Sequence, residues 1–147
     1  MKLLNYFSLT LILLLGCSAL ILYQEDIPSD VVDARYTNTN SQFSELGDLG
    51  RVHYRDEGRR QAPPIILLHG SYASLHTFEP WVARLKDKFR IVTIDLPGHG
   101  LTGAIPSGDY SREAMDQVVN LLANKLELEH FVIGGNSMGG SVALRYT

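Results

Sequence analysis

The chain has 147 residues, enough for one ordinary domain and too few for two large ones. Its 45% hydrophobic and 20% charged residues, with no internal repeat, exclude collagen-like sequence, low complexity and wholesale disorder. The formal charge of −3 includes no basic field, which argues against nucleic acid as the main partner, and a single Cys excludes a disulfide framework or a multi-thiolate metal site.

Residues Tyr6 to Tyr23 form a run of 18 without a charge, rich in Leu and Ile. As a helix rising about 1.5 Å per residue it would reach roughly 27 Å, near the thickness of a hydrocarbon core. Lys2 precedes the run, and Glu25, Asp26 and Asp30 follow it. That asymmetry predicts an N-terminus inside and the body outside the cytoplasm, periplasmic or extracellular. Three readings of residues 1–23 stand side by side. The segment is an uncleaved signal anchor, with the membrane contacted through residues 6–23. Or it is a lipoprotein signal, since Leu14-Leu15-Gly16-Cys17 resembles a bacterial lipobox. Or it is a cleaved secretory signal. Residues 24–42 read as a polar linker, with Gln24, Pro28, Ser29, Asn38, Asn40 and Ser41 and no hydrophobic period.

From Phe43 onward strands and helices alternate. Phe43–Leu46 and Val52–Arg55 flank Gly47-Asp48-Leu49-Gly50 and predict a β-hairpin. Pro63-Pro64 stops the chain before Ile65–Leu68, an apolar strand buried on both faces. Phe78, Trp81, Val82, Leu85 and Phe89 have helical spacing. Ile91–Ile94 is a second buried strand. Ser111 can cap a helix running to about Leu126, with Met115, Val118, Val119, Leu122 and Leu126 on its apolar face. Phe131–Ile133 is a third buried strand, and Gly139–Tyr146 begins another helix. This order predicts an α/β fold: a mostly parallel sheet with an N-terminal antiparallel hairpin and helices on both faces. Sites in such sheets lie beyond the carboxyl ends of the strands, here after Leu68, Ile94 and Ile133.

After Ile133, Gly135-Asn136-Ser137-Met138-Gly139 fits G-x-S-x-G. The pattern demands a sharp strand-to-helix turn with Ser137 at its tip, and Gly135 and Gly139 leave room for it. The helix N-terminus that follows favours developing negative charge. Gly134 to Ser141 has the spacing of a phosphate loop, but Gly140 stands where that loop needs Lys. After Leu68 comes His69-Gly70-Ser71. There the N–H groups of Ser71 and Met138 form the candidate oxyanion hole, and His69 is read as a structural residue. After Ile94, Asp95-Leu96-Pro97-Gly98-His99-Gly100 reads as a rigid loop beside the pocket. No metal or cofactor is expected.

With these three motifs in place, the chain resembles the α/β-hydrolase fold superfamily: serine esterases, lipases and carbon–carbon hydrolases. The resemblance runs from about Phe43 to Thr147 and rests on Pro64–Gly70, Asp95–Gly100 and Gly135–Gly140. It implies that Ser137 is the nucleophile and that the substrate is a small molecule with an ester-like carbonyl. A Ser at this position differs from the dehalogenase and epoxide hydrolase branches, which place Asp there. In this superfamily the triad acid and His follow the nucleophile. The five His residues here all precede Ser137, so both groups are expected beyond Thr147, the fold being incomplete at the C-terminus. The alternative is a membrane-tethered, non-catalytic remnant or binding protein with the same fold.

Overall fold

The computed structural model describes residues 2–24 and 26–147, with side chains for all of these except residues 2–5, 7 and 19. The chain divides into two compact units, the first ending at Val31 and the second running from Val32 to Thr147.

In the first unit, helix α1 spans Lys2–Leu22. Its described leucines and isoleucines stand exposed, from Leu11 at 48% to Leu20 and Ile21 at 80%. Thr10 and Ser18 turn their hydroxyls back onto the carbonyls of Tyr6 and Leu14, so the helix satisfies its own polar groups. Among the described residues, no helix is long and apolar enough to cross a membrane. The anchor expected over residues 6–23 falls partly on residues 7 and 19, which lie outside the described side chains. Lys2 and Glu25, two of the charges that suggested an orientation, lie outside the described side chains.

The linker expected over 24–42 carries order of its own. Helix α2 spans Ser29–Tyr36, with Asp30 in its first turn and Arg35 in its last, the charge placement a helix dipole favours. It has no buried residue, so hydrophobic period could not reveal it. Its second half is held by Arg51, whose guanidinium grips both oxygens of Asp33 at 2.6 and 3.1 Å.

Strands β1 (Ser41–Glu45) and β2 (Arg51–Gly58) form the expected hairpin, joined by a 3₁₀ turn over Gly47–Leu49. Strands β3 (Pro64–Leu68), β4 (Arg90–Ile94) and β5 (Val132–Gly135) complete a five-stranded sheet in the order β1-β2-β4-β3-β5. The pairs β1·β2 and β2·β4 are antiparallel, while β3·β4 and β3·β5 are parallel.

Helix α3 (Glu79–Leu85) connects β3 to β4, and α4 (Arg112–Lys125) connects β4 to β5. The chain steps outward from β3 to β4, then returns across β3 to β5, so the two helices cover opposite faces. On one face Val82 and Phe78 pack on Leu67 and Ile91. On the other, Met115, Val118, Val119 and Leu122 of α4 and Val142 of α5 (Met138–Tyr146) pack on Ile66, Leu68, Val92 and Ile94. Ser111 caps α4 as its sequence predicts, accepting from the Ala114 N–H at 3.2 Å.

The helix expected from Phe78 to Phe89 is shorter. A 3₁₀ turn over Leu75–Phe78 leads into α3, and the chain unwinds after Leu85, whose carbonyl accepts from Lys88 and Phe89. Trp81, one of the residues at helical spacing, is 58% exposed.

The register places Leu68 beside both Ile94 and Gly135. The three motif loops therefore leave one edge of the sheet abreast.

Candidate active site

Strand β5 includes Gly134 and Gly135, and α5 starts at Met138, leaving two residues to reverse the chain. Ser137 makes the reversal with φ 50° and ψ −113°, a conformation sparsely populated for a residue with a side chain. The turn is locked from three sides. Asn136 N–H donates to the Leu68 carbonyl at 3.0 Å, and Gly139 N–H donates to the Asn136 carbonyl at 2.9 Å. A Cβ on Gly135 would overlap the backbone of Gly139, and one on Gly139 would overlap the carbonyls of Leu68 and His69. Only glycine lets α5 start this close to the end of β3. Ser137 is exposed, and its hydroxyl caps no helical N–H. Met138 is the first residue of α5, so helix geometry gives its N–H no intrahelical acceptor.

The loop after β3 lies against this turn. The position a Cβ would take on Gly70 is 3.2 Å from the Ser137 Cβ and 3.3 Å from the Asn136 carbonyl oxygen. The next residue, Ser71, donates its hydroxyl to the Met138 sulfur at 3.5 Å. The structure thus places Ser137, Ser71 and Met138 together, with Gly70, Gly135 and Gly139 packed around the turn.

His69 is buried, and both of its nitrogens are engaged. Nε2 accepts from the Leu96 N–H at 3.0 Å, so Nδ1 carries the proton and donates to the Gly70 carbonyl at 2.8 Å. Burial pushes its pKa below the ordinary imidazole value, against the pull of the Gly70 carbonyl and of Asp95. A neutral ring with both nitrogens occupied is a brace, not a base. His53, His76 and His99 are each engaged through Nδ1, with Asp95, Glu79 and the Pro97 carbonyl.

Sequence reasoning missed one organising residue. Asp95, at the end of β4, is 1% exposed and accepts three hydrogen bonds. These come from His53 Nδ1–H at 2.7 Å, Leu75 N–H at 2.8 Å and Leu101 N–H at 2.9 Å. Burial alone would raise its pKa, but these three donors together hold it below the usual carboxylate range. Gly100 is required here, since a Cβ on it would overlap the Asp95 carboxylate. The signal in the sequence was an Asp at a strand end followed by Gly98 and Gly100. Its partner His53, 42 positions earlier, could not be read from spacing.

Comparison with known proteins agrees with this geometry. The chain is 37% identical over 104 residues to a serine hydrolase-like protein of Danio rerio, covering 70% of this chain and 32% of that one. It is 33% identical over 96 residues to haloalkane dehalogenase 2 of Mycobacterium tuberculosis, covering 65% and 32%. A solved epoxide hydrolase from hot-environment metagenomes superposes with a TM-score of 0.65 at 25% identity, covering 75% of this chain and 37% of that one. The chain spans about a third of the length of the curated relatives it matches. A family model for the alpha/beta hydrolase fold matches residues 63–147, and the chain belongs to that family.

Proposed function

We propose that the full-length protein is a serine hydrolase of ester-like carbonyl substrates, with Ser137 as nucleophile. The observation that carries this is the strained, exposed hydroxyl of Ser137 at the start of α5, with the Gly70–Ser71 loop against it. The Ser137 Oγ attacks the carbonyl carbon, and its proton passes to a His supplied with its acid partner by sequence after Thr147. The N–H groups of Ser71 and Met138 bind the oxyanion of the tetrahedral intermediate. The leaving alkoxide takes the proton from that His, and water then resolves the acyl-enzyme by the same steps in reverse. The similarity to a dehalogenase and an epoxide hydrolase supports hydrolysis in general. The hydroxyl at position 137 favours acyl chemistry within it. A fluorophosphonate probe should label the full-length wild type and leave Ser137→Ala unlabelled. Equal labelling of the two would overturn the assignment.

We further propose that the N-terminal segment attaches the protein to a membrane, with the hydrolase body outside the cytoplasm. The exposed leucines of α1 support attachment, and Leu14-Leu15-Gly16-Cys17 supports a lipid on Cys17 as its means.

A further inference from the structure

A cleft of about 510 Å³ opens beside Met138, within the roughly 300–1,000 Å³ of small-molecule pockets. Its walls are Pro97, Ala104, Met115, Met138 and the ring of Tyr110. The Tyr110 ring lies over Gly98, where a Cβ would come within 3.1 Å of it. Two polar groups of the wall already have partners. The His99 Nδ1–H donates to the Pro97 carbonyl at 2.9 Å, and the Tyr110 hydroxyl oxygen accepts from the Ile105 N–H at 3.3 Å. No lysine or arginine is among the described lining residues. A carboxylate placed there would lose hydration without gaining a counter-charge.

A second cleft, of about 590 Å³, is lined by Ser137 itself together with Gly134, Gly135 and Leu144, whereas the first reaches Ser137 only through its neighbour Met138. It is bounded by β5, which among the described residues pairs only with β3. Its unpaired backbone groups suit another strand and not an alkyl chain. The cleft beside Met138 has side-chain walls and touches the residue whose N–H is assigned to the oxyanion.

We infer that the cleft between Met138 and the 97–110 loop holds an apolar, uncharged acyl chain while its carbonyl carbon is bonded to Ser137. The inference rests on the serine-hydrolase reading and adds the substrate class. The acyl chain stays attached through both half-reactions, so its site must adjoin the nucleophile throughout, as Met138 does.

The test uses the full-length protein and p-nitrophenyl esters of acetate, octanoate and the ω-carboxylated eight-carbon acid. Octanoate should exceed its carboxylated counterpart in kcat/KM by more than tenfold. Ala104→Trp narrows the cleft and should lower the octanoate-to-acetate ratio of kcat/KM at least tenfold. The ratio does not depend on how much of the variant is folded, and Ala104→Leu replaces it if the larger side chain abolishes activity on both esters. An unchanged ratio, a preference for the carboxylated chain, or selectivity following the alcohol length would each overturn the inference. Labelling of Ser137 by a small fluorophosphonate separates the two readings. Labelling with an unchanged ratio removes only the cleft assignment, and no labelling removes both.

Discussion

The hydroxyl of Ser71 reaches the sulfur of Met138 across 3.5 Å, joining residues 67 positions apart in the chain. The two belong to loops that leave neighbouring parallel strands at the same level, since Leu68 pairs with Gly135. The contact sets the Ser71 backbone beside the start of α5, where the Met138 N–H has no intrahelical acceptor.

The first prediction follows from that arrangement. Ser71→Ala keeps the backbone N–H and loses only the contact to Met138, so turnover of the full-length enzyme should fall modestly. Ser71→Pro removes the N–H and fixes φ. Loss of one oxyanion donor costs about 2.7–4 kcal/mol, or roughly 100- to 1000-fold in kcat. Both variants are compared by steady-state kinetics after circular dichroism confirms their fold. Equal damage from Ala and Pro would mean that the hydroxyl, not the backbone, is the working group.

Asp95 is expected to govern stability. Asp95→Ala leaves His53 Nδ1–H, Leu75 N–H and Leu101 N–H buried without their acceptor. Each buried unpaired group costs about 1–3 kcal/mol, so urea unfolding should show a loss of at least about 3 kcal/mol. The carboxyl is held below its ordinary pKa, so the folded state binds fewer protons than the unfolded chain. Its contribution is present above the unfolded value of about 3.9 and is lost as pH falls through the lower folded value. A loss under 1 kcal/mol in Asp95→Ala would show that the three bonds are not essential to the fold.

His69 predicts a second pH dependence at milder acidity. Its pKa is depressed in the folded state, first by burial, so below about 6.5 the unfolded chain takes up a proton that the folded chain refuses. Stability should therefore fall as pH drops from about 6.5 toward the lower folded value. Urea midpoints between pH 7 and 5 measure the slope. In His69→Asn, which keeps a short polar side chain, the slope should flatten. An equal slope in both proteins would assign it to other groups.

What could be read from the sequence was whatever repeats or punctuates. Ile65–Leu68 and Ile91–Ile94 are continuous apolar runs and became β3 and β4. Ser111 is a cap with an apolar period behind it and opened α4. G-x-S-x-G marked the turn at Ser137 because a strained serine needs small neighbours. Elements stabilised by distant partners carried no such mark. Helix α2 buries nothing and depends on Arg51 reaching Asp33. Trp81 fits the helical period, yet Val82 and Phe78 take the buried positions. The His53–Asp95 pair exists only because β2 lies next to β4 in the sheet, an order that adjacency in sequence would not suggest.

Membrane attachment can be divided by one substitution. Cys17 stands exposed on α1 after Leu14-Leu15-Gly16. The wild type should remain with membranes after a carbonate wash. Cys17→Ser should release the protein if a lipid on that sulfur holds it. Retention of Cys17→Ser would assign attachment to the helix itself. Recovery of the wild type in the soluble fraction would remove the proposal.

The last prediction compares two adjacent glycines. In Gly139→Ala the new methyl would overlap the carbonyls of Leu68 and His69, which belong to rigid backbone at the end of β3. Either α5 or the end of β3 must move; Ser137 directly precedes α5, and its neighbour Asn136 is bonded to the Leu68 carbonyl. In Gly140→Ala the nearest neighbour is the Gly135 carbonyl oxygen at 3.2 Å, which a few tenths of an ångström relieves. Overpacking a tight site costs about 1–3 kcal/mol, and in a helix Ala gains up to about 1 kcal/mol over Gly. Gly140→Ala should therefore lie near the wild type in melting temperature. Gly139→Ala should melt lower by several degrees and lose most of its fluorophosphonate labelling rate, because the nucleophile is displaced with the turn. If Gly139→Ala were labelled as fast as the wild type, the close approach of α5 to β3 would not be what holds Ser137 in place.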